Sequence, residues 1–354
     1  MNNYNIFIID NLPPEDVAML QALYSRDPRS VTTHLQKVKQ AGPGKFMEKF
    51  YVGYGHKSIG DCGTTTLFIE GVSMLAAKAI QDWPLYNGQE SSTRYLDFSK
   101  MSIFDPIGTE ESKNIHNALM DIYNKSVEQA IEDLKNKYPI KDNENPKVYE
   151  KAINARAFDI CRGFLPAGMT TMVAWHTNLR QAADHIKTMR HHPLKEVRDI
   201  SIKILTSLQQ QYPNSFGHKI YDVEEQYIKN TQEKIAYQKP FNINTDFEYD
   251  NYLRENYLLE YKEILQNRPQ YSELPHQIRN AGDIIFRFLL DFGSYRDLQR
   301  QRSMVSIMPL LTTKFGFNSW YLQNFNNDYK NIITKELKQI EQMIYNLDVS
   351  DVVK

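Results

Sequence analysis

Apolar and polar positions alternate along the chain with periods that change several times, and each change predicts an element. The run Tyr4–Asp10 gathers Ile6, Phe7, Ile8 and Ile9, the mark of a buried strand, and Pro13-Pro14 closes it. Asp16 then opens a helical pattern through Leu20 and Leu23. Phe46 to Val52 reads as helix, followed by a glycine-rich polar turn over Gly53–Asp61. Thr64 to Ile69 is β-branched and strand-like, whereas Val72 to Ile80 is rich in Ala and Met and helical. After Pro84 and Gly88, residues 89–97 read as extended.

Helical spacing dominates the next stretch, over Ser112–Lys137, Lys147–Cys161 and Asn178–Arg190. The third places Leu179, Ala182, Ala183, Ile186 and Met189 on one apolar stripe and ends at His191-His192-Pro193. Beyond Pro213 the composition shifts towards Tyr, Asn, Gln and Glu, and Pro240 to Asp250 is the best domain boundary. Long helices are expected to resume near Glu255, Asn280 and Asp328. The last, with Ile332, Ile333, Leu337, Ile340 and Ile344 apolar, suits docking between domains or subunits.

Length and composition narrow this picture. A chain of 354 residues exceeds the usual single domain. Lys+Arg 42 against Asp+Glu 43 leaves a net charge of −1, so no global positive field draws the chain onto nucleic acid. Cys62 and Cys161 supply neither a disulfide framework nor a zinc site, and no metal site is expected. No segment approaches the roughly 18 apolar residues of a membrane span, and the apolar run after Asn5 is too brief for a signal peptide, so a cytoplasmic protein is expected.

Three constellations carry chemistry. Glu90, Ser92 and Arg94 share one face if their segment is extended, placing carboxylate, hydroxyl and guanidinium together as a nucleotide grip; a solvated edge strand with an ordinary ion pair explains the spacing equally. Arg162, with Asn178, Arg180 and Arg190 on the following helix, offers donors that converge on an anion or pair with Asp184 and Glu196. His191 and His192, about 100° apart on a helix, cannot share a metal and read as a helix C-terminal cap. Near the C-terminus, Arg296, Arg300 and Arg302 crowd the end of a predicted helix carrying Ile284, Ile285, Phe288, Leu289 and Leu290. Arg296 and Arg300 repel there unless an anion or Asp297 compensates, and burial would demand a counter-charge.

These residues, in this order, resemble the flavin-dependent thymidylate synthase family. The family's mark is an Arg-His-Arg triplet, seven residues, then Ser, continuing as Ser-x-Arg-Tyr. Ile69 to Ser73 and Glu90-Ser-Ser-Thr-Arg-Tyr95 match the flanks, His56-Lys-Ser58 is similar to its His-x-Ser turn, and Arg162 to Pro166 with Asn178, Arg180 and Arg190 is similar to its second half. The resemblance covers about residues 4–205. Two departures stand out: Asp82-Trp83-Pro84 replaces the triplet, and His191 to Glu196 replaces an Ala-Gln-containing turn. Arg300-Gln301-Arg302 resembles a second triplet at an offset of 300 − 82 = 218, where Phe68 meets Phe286 and Val72 meets Leu290, while Ser92 falls on Leu310 and Arg94 on Thr312. Each copy has lost what the other keeps.

The resemblance implies an α+β fold, a mixed sheet flanked by long helices, helix-rich, with a partial second repeat: residues 1–215 as nucleotide-binding domain and 216–354 as a helical partial copy. It implies FAD as cofactor, NADPH and methylenetetrahydrofolate as co-substrates, and deoxyuridylate or a related pyrimidine mononucleotide as substrate. A homodimer or homotetramer with a composite site is implied. Glu90, Ser92, Arg94, Arg162 and Arg190 would hold the nucleotide, with Arg190 stabilising charge on the uracil ring and Ser92 positioning the base. His56, Ser58, Asn178, Arg180, Arg300, Gln301 and Arg302 would serve the cofactor. Two other readings remain: a catalytically degenerate homologue that binds nucleotide or serves as an assembly subunit, and a related flavoenzyme modifying a pyrimidine at the same ring carbon.

Overall fold

The computed structural model describes residues 7–235, 247–308, 310–351 and 353–354. Of the anticipated first strand, Tyr4 to Ile6 lie outside the described residues, and 7–10 run without regular structure, with Ile8 87% exposed. A few apolar residues with no ladder to join do not hold a strand. Helix α1 (Pro14–Tyr24) starts where the fixed φ of proline suits a first helical position, and Ser30 caps α2 (Val31–Ala41). Met19, Leu20 and Val38 pack between them. A helical stretch from Gly44 turns π-helical over Met47–Gly53 and delivers Tyr51 to the core.

Strand β1 (Thr64–Ser73) runs directly into α3 (Met74–Gln81), and Ser73 joins them: its hydroxyl accepts from the Ala76 N–H at 2.9 Å. Strand β2 (Asn87–Glu90), the long helices α4 (Glu110–Lys137) and α5 (Pro146–Cys161), and β3 (Thr170–Asn178) follow. The sheet order is β1-β3-β2, with both outer strands antiparallel to β3. The apolar pattern does not announce this central strand, although Val173 and Trp175 alternate inward along it, because threonines replace aliphatic residues at its ends. A Cβ at Gly88 would lie 1.9 Å from the Ala174 carbonyl oxygen, so only glycine lets β2 approach β3 this closely.

The extended reading of residues 89–97 needs correction. Strand β2 ends at Glu90, and Thr93–Tyr95 turn, so Ser92 and Arg94 share no strand face with Glu90. The Arg94 N–H reaches the Ser92 hydroxyl at 3.3 Å instead, the local bond by which serine competes with a ladder.

Helices α6 (Leu179–Met189), α7 (Lys195–Gln211) and α8 (Asp222–Ile235) complete the first part. Beyond lies a two-stranded antiparallel sheet of β4 (Phe247–Asn251) and β5 (Ile284–Phe288), then α9 (Phe292–Leu298) and α10 (Asn327–Asn346). The long helices expected near Glu255 and Asn280 are absent from the described residues. Two short helices, Glu255–Glu260 and Lys262–Gln266, stand there instead, Pro269 and Pro275 interrupt the chain, and Ile284–Phe288, β-branched and aromatic, pairs as a strand. Beside this sits a recurrence: β5 leads through Asp291 into α9 as β1 leads through Ser73 into α3, each cap accepting from the N–H three residues on, with 291 − 73 = 218.

Two main cores result. One joins α3, β3, α6 and α7 around Trp175, Ile80 and Val197. The other joins α4 and α5 with α10, packing Ile122, Tyr123, Ile160 and Phe164 against Ile333 and Ile340. Residues from both sides of position 215 therefore share a core. The architecture is helix-rich α+β with small sheets, and no helix among the described residues is long and apolar enough to cross a membrane. Replacing Ile333, 1% exposed, by alanine should cost about 2–5 kcal/mol in urea unfolding, whereas Lys335→Ala on the exposed side should cost under about 0.5 kcal/mol. A C-terminal helix that only rests on the surface would make the two variants alike.

Candidate functional site

The site assembles where the loop after β2 meets α9. Glu90, at the end of β2, is buried between two cations: Lys78 of α3 lies 2.7 Å from Oε2 and Arg296 of α9 lies 2.5 Å from Oε1. The three side chains are 7%, 2% and 11% exposed. Gln81, one turn after Lys78 on α3, donates to the same carboxylate at 2.8 Å. Burial alone would raise the Glu90 pKa; the Lys78 and Arg296 charges overcome it and hold the carboxyl below its ordinary value of 4.5. Lys78 moves the other way in stability terms: burial outweighs its attraction to Glu90 and lowers its pKa. The asymmetry follows from the count of charges, since Glu90 has two cations while Lys78 shares one anion with Arg296.

Next to Arg296, Asp297 reaches a different group. Its Oδ2 accepts from Arg94 Nη2 at 2.6 Å and from Arg162 Nη1 at 3.0 Å. From the other side Asp159 lies 3.0 Å from Arg94 Nε, 3.5 Å from Arg162 Nε and 3.2 Å from Arg156. Two guanidinium groups thus converge on Asp297 Oδ2, and Arg162 is only 12% exposed. Neighbouring helix residues diverge by about 100°, which lets Arg296 and Asp297 serve separate partners.

Behind α9 lies a cleft of about 250 Å³ lined by Asp82, Trp83, His185, Tyr295, Gln299 and Ser306 among others. Trp83 stacks on His185 with ring centroids 4.6 Å apart and donates to Gln181 at 2.8 Å. Burial pushes the His185 pKa down to about 4 and that of His192 down to about 3, so both rings are neutral, and it raises the Asp82 carboxyl. The segment standing in place of the triplet thus offers no cation to an anionic group. The second triplet does: Arg302 donates to Asn87 at 2.7 Å, and Arg300 and Gln301 are exposed, Arg300 with no ion pair among the described residues.

The remaining candidates lie elsewhere. Arg190 is bound to Glu225 of α8, which also takes His191 Nε2 at 2.7 Å. His191 thus hydrogen-bonds Glu225, and the C-cap of α6 is Arg190 rather than the histidine pair. Asn178 uses its side chain to cap α6, accepting from Gln181 N–H at 2.8 Å. Arg180 pairs with Asp61 at 2.7 Å and Asp184 at 3.5 Å, while Glu196 accepts from the Ser73 N–H and hydroxyl instead. His56 and Ser58 are exposed on the turn that starts the Lys57–Gly60 helix. Among the described residues no group of His, Cys, Asp and Glu could hold a metal. Lys78, Asp159 and the partners of Arg296 escape motif reasoning, yet a lone lysine within the apolar helix Val72–Ile80 is a readable signal, because a buried ammonium needs a counter-charge.

Glu90→Gln would leave two buried cations facing a neutral amide and should destabilise the fold by about 3–5 kcal/mol at neutral pH. Since the folded pKa lies below 4.5, the ionised form contributes stability above that pH, and the contribution disappears as pH falls through the folded value. Urea midpoints followed from pH 7 down to pH 3 should therefore fall more steeply for the native chain than for Glu90→Gln; parallel curves would contradict the geometry.

The sequence model of the thymidylate synthase complementing protein family matches residues 8–214. A UPF0159 protein of Chlamydia pneumoniae is 26% identical over 329 residues, 77% of this chain and 62% of that one, so the chain spans less than two thirds of that relative. A UPF0159 protein of Thermoplasma acidophilum is 22% identical, covering 86% of this chain and 75% of its own length. Among solved structures, thymidylate synthase X from Helicobacter pylori with FAD and dUMP aligns over 58% of this chain and 93% of that one, at 18% identity and a TM-score of 0.35.

Proposed function

From the premise that this chain belongs to the thymidylate synthase complementing protein family, we propose that it acts on a pyrimidine mononucleotide, deoxyuridylate or a near relative, in a flavin-dependent thymidylate synthase reaction. The observation that carries this reading is the convergence of the Arg94 and Arg162 guanidiniums on the Asp297 carboxylate, an anion position shared by both. Two guanidinium forks at one point suit a phosphate. Ser92, two residues before Arg94, would orient the base. Arg190 would steady negative charge on the ring once released from Glu225, a role suited to a permanently charged donor.

The composite character of the site rests on α9. Arg296, Asp297 and Gln299 from residues 216–354 meet Glu90, Arg162 and Lys78 from residues 1–215, so the two parts build one site within one chain. Arg300 and Arg302 are the side chains fitted to hold FAD by its anionic groups, whereas Asp82 is not. Bound flavin would supply the hydride, drawn from NADPH, with methylenetetrahydrofolate as carbon donor. His56, Ser58, Asn178 and Arg180 would border the cofactor from a neighbouring chain of a homodimer or homotetramer.

One observation favours a second reading, a homologue that binds nucleotide without turnover: Trp83, stacked on His185, fills the first triplet position, and Gln301 supplies no titratable group in the second. The test separates the two. Protein incubated with FAD, deoxyuridylate, NADPH and methylenetetrahydrofolate should form thymidylate, detected by chromatography, and retain visible flavin absorbance after gel filtration. Arg300→Ala with Arg302→Ala should strip the flavin, and Arg94→Gln should weaken deoxyuridylate binding by roughly tenfold or more. Nucleotide binding without flavin uptake would leave the second reading; neither would overturn both.

A further inference from the structure

Asp297 occupies the more exposed of the two positions on which Arg94 and Arg162 converge, the other being held by Asp159, and that occupancy has a consequence for any incoming anion. We propose that Asp297 is an internal ligand of the anion site, a residue that sets the affinity threshold a nucleotide phosphate must exceed by displacing it. This rests on the reading of Arg94 and Arg162 as phosphate holders.

Four observations carry it. The first is charge. Arg94 and Arg162 each face both Asp159 and Asp297, so neither guanidinium is free of a carboxylate, while Arg156 on the far side of Asp159 gives the whole group one surplus positive charge. A ligand reaches the two guanidiniums by exchange with a carboxylate.

The second is incompleteness. From Asp297 both arginines draw on one oxygen, Oδ2, and on the other side Arg162 Nε and Asp159 Oδ1 lie within ion-pair distance but complete no hydrogen bond. A carboxylate has two oxygens on one carbon; a phosphate presents three around its phosphorus and is the better complement to two forks.

Exposure gives the third. Asp297 and Arg94 are 37% and 45% exposed, so their pairing is screened and readily exchanged. Arg296–Glu90, one residue away, is buried at 11% and 7%. The anchor of α9 is therefore separate from its displaceable charge, and the Asp297 side chain can turn away while the helix stays docked.

Fourth, Asp297 sits in the last turn of α9, where an anion faces the negative end of the helix dipole. A carboxylate is disfavoured at that position unless cations compensate, and the only cations that take it are Arg94 and Arg162 among the described residues.

The cost of displacing Asp297 is common to every anion that enters. Removing the charge should then raise the affinity for all of them by one shared factor and leave phosphate-free ligands untouched. Isothermal titration of the full chain with deoxyuridylate, inorganic phosphate and deoxyuridine measures this on the native protein, Asp297→Asn and Asp297→Ser. We expect both variants to bind deoxyuridylate and inorganic phosphate roughly tenfold more tightly, with the same factor for each, and deoxyuridine unchanged. Unchanged or weaker phosphate binding in both variants overturns the inference, as does an equal gain for deoxyuridine. Arg94→Gln added to Asp297→Asn separates the two levels of the argument. If the double variant loses deoxyuridylate affinity but Asp297→Asn alone gains none, the internal ligand falls and the phosphate site stands. If Arg94→Gln has no effect in either background, the phosphate site falls and takes the internal ligand with it.

Discussion

A single buried carboxylate holds the two parts of this chain in register. Glu90 lies between Lys78 and Arg296 with almost no solvent on any of the three side chains. Such an arrangement is unforgiving, because taking a charge from water is costly and only close opposite charges offset that cost. It ties α9 to a strand more than two hundred residues earlier and so determines where Asp297, Gln299 and Arg302 land.

What surrounds this pair follows from it. With α9 docked, Asp297 reaches Arg94 and Arg162, Gln299 donates to the Lys78 carbonyl at 3.0 Å, and the cleft closes between Trp83 and Tyr295. The hydrophobic cores support the same arrangement at a distance. Helix α10 returns to pack on α4 and α5, so the chain beyond β5 is tied at both its charged and its apolar ends to the first part. The strand, cap and helix that recur at an interval of 218 therefore act inside one molecule, facing the earlier part rather than standing apart from it.

Family membership and geometry answer different questions here. The family match covers residues 8–214 and says which chemistry to look for. It does not reach Arg296, Asp297 or the second triplet, and the altered segment Asp82-Trp83-Pro84 lies inside it. The charges that the first triplet lacks are present in α9 and the turn after it. Arg190 shows the converse: a residue that the family resemblance would assign to the nucleotide is held by Glu225 in this structure, through a helix whose sequence carries no motif.

Much of this was legible from residues in order. Helical patterning located α1, α3, α4, α5, α6 and α10, since an apolar stripe every third or fourth residue has few other uses, and the Glu90 to Tyr95 motif falls where α9 docks on the first part. The run from Ile284 to Phe288 misled, because a short apolar stretch fits a buried helix as well as a strand and only the partner β4 decides between them. The same limit applies to the charges. Sequence indicated that Arg296 would need an anion if buried and grouped Glu90, Arg94 and Arg162 as candidates for one ligand, while Lys78 and Asp159 went unread. Which cation met which carboxylate was decided by tertiary structure alone, because ion pairing depends on distance in space and on burial, neither of which is written in the spacing along the chain.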